Sequence, residues 1–166
     1  DSVASRGLGD VYKRQMKRTY YAIGFANDAL GWEIRNMYFK GCIAPKAITT
    51  IKRGTDRLQI FEGFMDFLSW QTLNPSSTCD TIVLNSLALL PRIQEKIKSY
   101  KQVESFLDND DAGRKSFEVL KHFCPSIIDG SVRYRTHKDI NEWLVAQSKV
   151  KEKQPLLLTT KRGIRR

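Results

Sequence analysis

Cysteine is scarce and scattered in this 166-residue sequence: Cys42, Cys79 and Cys124 are the only three, and no two form a CxxC pair. That excludes a zinc ribbon and a disulfide frame, and separate thiols suit a reducing compartment. Long apolar runs are also missing. None approaches the roughly 20 residues needed to span a bilayer, and the N-terminal stretch has no signal-peptide segment. The expectation is a cytoplasmic protein with no membrane partner. No repeat period or low-complexity tract organises the chain. Acidic residues are the minority charge, 18 against 28 basic, for a net charge of +10.

Hydrophobic content of 41% and charged content of 28% are ordinary for a globular protein, and the length suits one good core with a small appended lobe. The positive charge is uneven. Residues 151–166 carry a net +5, and so do residues 16–55, with seven basic and two acidic side chains. A polyanion such as nucleic acid is therefore a plausible partner on charge grounds. Residues 1–15 show no period and read as a non-native leader. The expected division is a leader over 1–15, a small basic β-rich lobe over 16–56, an α/β domain over 57–149 and a basic tail over 150–166.

Thr19 to Phe25 and Trp32 to Asn36 alternate apolar and polar residues and read as strands joined by the turn-forming Ala26-Asn27-Asp28-Ala29; Ala47 to Lys52 reads as a third strand. Tyr20, Tyr21, Phe25, Trp32, Tyr38 and Phe39 are interleaved here with Lys17, Arg18, Arg35 and Lys40. Such a mixture suits a single-stranded nucleic-acid track, with bases stacked on rings and phosphates paired to cations. The plainer alternative is a lobe whose aromatics form its core. From Leu58 the texture alternates: strands at 58–62, 81–85, 102–108 and 126–134, helices at 64–72, 88–99, 111–123 and 139–148. That order predicts an α/β fold with a mainly parallel four-stranded sheet and flanking helices.

The chemistry concentrates at two strand ends. Phe106-Leu107-Asp108-Asn109-Asp110-Asp111-Ala112-Gly113-Arg114 runs from an apolar strand into a cluster of carboxylates, and Ile60-Phe61-Glu62-Gly63 ends an earlier strand in one more. Carboxylate oxygens suit a hard cation such as Mg²⁺. Ligands of open α/β sheets gather beyond the carboxyl ends of the strands. Glu62 and Asp108 meet there if the first and third strands are neighbours with the second outside. The alternative role for Asp110 and Asp111 is to cap the following helix, and for Glu62 to favour a helix N-terminus. An EF-hand loop starting at Asp108 fails, because Val119 would occupy the position that needs a bidentate Glu.

Glu62-Gly63-Phe64-Met65-Asp66 followed by Asp108-x-Asp110-x-x-Gly113 resembles the Toprim domain of primases and topoisomerases, over about residues 57–148. The Asp111-Ala112-Gly113-Arg114 continuation and Lys138-Asp139-Ile140-Asn141-Glu142 are similar to the bacterial primase branch. The stretch around Gly24-Phe25 and Asn36 to Lys46 is similar to the part that precedes Toprim in primase-like proteins of mobile elements. The resemblance implies Glu62 as general acid/base, and Asp108 and Asp110 as holders of Mg²⁺ or Mn²⁺, with Asp139 as a further ligand. It also implies Lys138 and Arg114 as phosphate contacts, with Arg35 and Lys40 on DNA. Single-stranded DNA and nucleotides are the implied partners. The absent zinc-ribbon spacing implies either that the sequence is a fragment or that it works with a zinc-ribbon or helicase partner. Two function classes follow: a nucleotidyltransferase core (or a nuclease using the same site), and a Toprim module that only holds DNA.

Overall fold

The structure, a computed structural model, describes residues 8–10, 13–15 and 18–152. Most of the leader and nearly all of the basic tail lie outside the described residues. Eleven strands and four α-helices are present: β1 (Leu8–Asp10), β2 (Lys13–Gln15), β3 (Arg18–Tyr20), β4 (Ile23–Ala26), β5 (Trp32–Arg35), β6 (Lys40–Ile43), β7 (Thr49–Ile51), β8 (Arg57–Phe61), α1 (Phe64–Leu73), β9 (Asp80–Val83), α2 (Gln94–Ile97), β10 (Gln102–Phe106), α3 (Asp111–Phe123), β11 (Ile128–Asp129) and α4 (Ile140–Glu152). Among them no helix is long and apolar enough to cross a membrane.

The lobe is an antiparallel sheet in the order β1-β4-β5-β6, beside a β2-β3 hairpin. Residues 8–10 and 13–15, set apart in the sequence reading, thus take part in strand pairing. The turn after β4 is held by Asn27, whose Oδ1 accepts the amides of Ala29 and Gly31 (3.0 and 2.9 Å) while its Nδ2 donates to the Pro45 carbonyl at 2.8 Å. Any side chain at Gly31 would collide with that carbonyl, since a Cβ there would lie 1.9 Å from it.

The larger sheet has five strands in the order β11-β10-β8-β9-β7, where four were expected. The extra strand is β7, from the stretch assigned to the lobe. It runs antiparallel to β9 at the sheet's edge, and all other pairs are parallel. Asp28 of the lobe's turn holds it there, accepting the Thr50 amide (2.7 Å) and hydroxyl (2.6 Å). Both faces of the sheet are covered, so its central strands are apolar on both sides. Leu58, Ile60, Ile82, Leu120 and Ile93 fill one face. Phe61, Phe64, Phe67, Trp70, Phe106, Tyr134 and Ile140 fill the other, under α1 and α4. Phe25 of β4 joins this second core by stacking on Phe64 at 5.3 Å, which docks the lobe against the sheet.

Two predicted elements differ. The strand expected over 126–134 stops after Ile128–Asp129 and becomes a 3-10 turn over Gly130–Tyr134. A Cβ on Gly130 would sit 2.6 Å from the Phe106 ring, so the backbone crosses too close for a longer side-chain ladder. Asp129 then starts the turn by accepting the Ser131 amide at 2.9 Å. The helix expected over 88–99 is a 3-10 segment over Leu87–Ile93, with Pro91 inside it, followed by α2.

At the amino end of β9, away from the acidic strand ends, Asp80 is 2% exposed. Burial alone would raise its pKa. The Arg53 amide (2.8 Å), the Tyr100 hydroxyl (2.8 Å), the Thr55 amide (3.2 Å) and the Lys52 ammonium (3.4 Å) outweigh burial and hold it at about 2. A carboxyl with a depressed folded pKa stabilises above its unfolded value near 4 and loses that contribution as pH falls toward about 2. Asp80→Asn is expected to lower stability at pH 7 by about 1–3 kcal/mol. Urea denaturation should show the gap to the wild type narrowing between roughly pH 4 and 2.

Candidate metal and phosphoryl-transfer site

β8 and β10 are parallel neighbours with Phe61 opposite Phe106, and β9 lies outside them. The chain therefore leaves both strands at one edge, and Glu62 and Asp108 emerge together. The Asp108 amide donates to Glu62 Oε2 at 3.3 Å, and the Glu62 amide donates to the Phe106 carbonyl at 3.3 Å. Asp110 caps α3, with Oδ1 accepting the Gly113 amide at 2.9 Å. Glycine is required at 113, because a Cβ there would lie 2.0 Å from the Asp108 carbonyl.

Asn109 brings the remaining charged residues in. Its Nδ2 donates to the Tyr134 and His137 carbonyls, both at 3.0 Å, and its amide donates to the Lys138 carbonyl at 2.7 Å. Lys138 Nζ consequently lies 3.4 Å from Asp108 Oδ2 and 4.0 Å from Asp110 Oδ2. Asp139 starts α4 and accepts the Glu142 amide at 2.7 Å. Arg114 points elsewhere, its guanidinium bonded to the Asn109 carbonyl (2.9 Å) and the Asp111 carboxylate (2.6 Å).

These groups open into a cleft of about 570 Å³ between the sheet and the lobe. Glu62, Asp66, Asp108, Lys138 and Asp139 line one wall; Arg35, Lys40, Met37 and Ile23 line the other. Arg35 and Lys40 are cross-strand partners, so two cations stand side by side facing the acids. The sequence had singled out Asp66 only as part of a motif. It lies four residues after Glu62 at the start of α1, is 9% exposed, and its Oδ1 accepts the Asn141 amide of α4 at 3.3 Å. Glu33 and Asn85, also buried in the cleft wall, were not foreseen. Their place there depends on how the lobe docks, which no local pattern encodes.

The electrostatics are those of crowded acids short of positive charge. Burial, then Asp108, raises the pKa of Glu62. Burial, then Asp139, raises that of Asp108 against the pull of Lys138. Asp66 is pushed up to about 7 by burial, then by Asp139 and Asp108. Among the described residues no three acidic, histidine or cysteine side chains form a ready-made coordination group. The donor set nevertheless fits a hard divalent cation: it consists of carboxylate oxygens without sulfur or imidazole. One positive charge, the Lys138 ammonium, already lies against both Asp108 and Asp110. Those two residues, with Asp139 beside them, are the ones that would hold the ion.

A protein-family model described as Toprim-like matches residues 59–144, and one described as a domain of unknown function matches residues 1–44. No curated protein matches the chain significantly. Among solved structures, the fold is similar to the primase fragment of the bacteriophage T7 primase-helicase protein (TM-score 0.62, 14% identity, covering 92% of this chain and 71% of that one). It is also similar to a chain in a complex of the bacteriophage T7 lagging-strand DNA polymerase with primase domains, an RNA/DNA hybrid and dTTP (TM-score 0.61, 15% identity, covering 92% and 88%).

A carboxyl whose folded pKa is raised stabilises below its unfolded value and loses that contribution as pH rises through the folded value. Asp66→Asn keeps the acceptor for Asn141 and removes the charge. In buffer free of divalent ions, this variant is expected to melt several degrees above the wild type at pH 8. Thermal melts should show the difference shrinking through about pH 7 and vanishing near pH 4.

Proposed function

The chain belongs to the Toprim-like family, and from that premise we propose that it is the Mg²⁺- or Mn²⁺-dependent nucleotidyl-transferring core of a primase-like protein acting on single-stranded DNA. One observation carries the proposal: Glu62 and Asp108 emerge from paired strands and face Arg35 and Lys40 across a single cleft. A pure DNA-holding surface gains nothing from carboxylates turned toward phosphates. The similarity to primase structures supports the reading at the level of fold.

Each residue's role follows from its surroundings. Glu62, with proton affinity raised by burial and by Asp108, is suited to exchange a proton with a hydroxyl. Asp108, Asp110 and Asp139 would hold the divalent ion, which when bound neutralises charge on phosphate oxygens. Lys138 is displaced from the carboxylates toward a phosphate. Arg35 and Lys40 hold the backbone of the template strand. Arg114, held by Asp111 outside the cleft, is left as a peripheral phosphate contact. The lobe, β-rich and basic, presents DNA to the Toprim domain, with a zinc-ribbon domain or a helicase as the working partner.

The second reading, a DNA-holding module, draws on the Lys138–Asp108 ion pair, which already neutralises part of the acidic cluster. Labelled-nucleotide incorporation on single-stranded DNA with Mg²⁺ decides between them. The wild type is expected to incorporate nucleotide, and Glu62→Gln to lose at least about 100-fold in rate, the scale of general acid/base catalysis, while still binding DNA. Neither synthesis nor nicking, even with a zinc-ribbon partner added, would leave the DNA-holding module standing.

A further inference from the structure

We propose that the uncovered end of the lobe's sheet, with Tyr38 at the tip of the β5–β6 hairpin, is a base-stacking site for single-stranded DNA approaching the cleft along Arg35 and Lys40. The inference rests on the reading of the chain as a protein acting on single-stranded DNA, and it names where that strand is gripped.

One face of the lobe's sheet is divided in two. Phe25, Glu33 and Cys42 are register partners across β4, β5 and β6, and Phe25 and Glu33 are buried against the larger domain. Two residues farther along each strand, Ile23, Arg35 and Lys40 are the next partners on that face, and all three are exposed in the cleft wall. Beyond them lies the Asn36-Met37-Tyr38-Phe39 turn. Asn36 fixes it: its Oδ1 accepts the amides of Tyr38 (2.8 Å) and Phe39 (2.9 Å), and its Nδ2 donates to the Tyr21 carbonyl at 2.9 Å. The hairpin tip is thereby tied to the segment leading into β4.

Neighbouring rings in this segment have different environments. Tyr20 and Phe39 pack edge to face, with centroids 6.1 Å apart. Tyr38 is 75% exposed, Met37 86% and Tyr21 69%. A single exposed aromatic is ordinary. This one stands at the tip of the hairpin whose strands carry the paired Arg35 and Lys40, on a turn held by side-chain hydrogen bonds. Of the two acids of residues 16–55, Glu33 is buried in the cleft wall and paired with Lys46 at 3.0 Å, and Asp28 bonds Thr50 from the turn at the other end of β5. An exposed ring at the tip of a hairpin whose strands carry two adjacent cations matches a strand of stacked bases and phosphates. Tyr38 is presented by a turn whose backbone is bonded to Asn36.

The test is fluorescence anisotropy of a labelled oligo-dT with the full chain, repeated across salt concentrations. Tyr38→Ala is expected to weaken binding about five- to hundredfold, the scale of one base–ring stack. Its salt dependence should stay unchanged, and Tyr38→Phe should bind within about twofold of wild type. The Arg35→Gln/Lys40→Gln double variant should instead flatten the salt slope, by roughly 0.7 for each phosphate no longer neutralised. Unchanged melting temperatures would show that the exposed substitutions leave the fold intact. If the wild type binds but Tyr38→Ala binds equally well, or Tyr38→Phe loses as much as Tyr38→Ala, the stacking site is overturned while the reading of the chain stands. If the wild type does not bind single-stranded DNA, both fall. If Tyr38-dependent binding persists while incorporation is absent, the enzyme reading alone is lost.

Discussion

The parallel pairing of β8 with β10 is the constraint on which the rest of the site depends. It forces two like charges, Glu62 and Asp108, out of the sheet at one edge, where the only direct bond between the residues runs from the Asp108 amide to the Glu62 carboxylate. Unit charges about 4 Å apart repel by roughly 4 kcal/mol under partly screened conditions. What holds them is beneath them. Phe61 and Phe106, the last residues of the two strands, stack at 4.8 Å, and Trp70 packs on Phe106 at 4.3 Å. Burying each such ring stabilises the fold by about 1.5–3 kcal/mol, so the core outweighs the repulsion at its rim. The repulsion that Lys138 relieves only in part is what makes the edge receptive to a cation.

A few bonds from residues outside the acidic cluster build the cleft. Asn109 stands between the two aspartates and commits its side chain to the Tyr134 and His137 carbonyls. That bond pair decides where Lys138 and Asp139 stand. On the opposite wall, Phe25 docks the lobe by entering the aromatic core, beside the bonds from Asp28 to Thr50. Remote packing residues thus set the geometry of polar ones.

Much of this was legible in the sequence. Alternating apolar runs and helical segments pointed to the parallel sheet, and the strand-ending carboxylates marked the edge where they would meet. Capping was the alternative role read for Asp110, and both Asp110 and Asp139 do cap helices. What escaped notice depends on tertiary contact. The strand β7 carries no local sign that it leaves the lobe for the larger sheet, because its partner β9 lies some 30 residues away. The turn at Gly130 reads as strand by composition, and the close approach of Phe106 and the Ser105 carbonyl there is visible only in the fold. Asp66 sits in a motif but becomes a buried carboxyl only after α4 folds over α1. Arg114, by contrast, looked like a phosphate contact in sequence and lies outside the cleft, bonded within its own helix's first turn.

The central claim is that the edge formed by β8 and β10 is a divalent-cation site. Crystals grown or soaked with Mn²⁺, examined by anomalous diffraction, test it most directly. The predicted result is a peak bounded by Asp108 and Asp110, with Glu62 in reach of its hydration shell and the Lys138 ammonium moved off the carboxylates. A saturating soak that leaves Lys138 against Asp108 with no anomalous peak at this edge would contradict it.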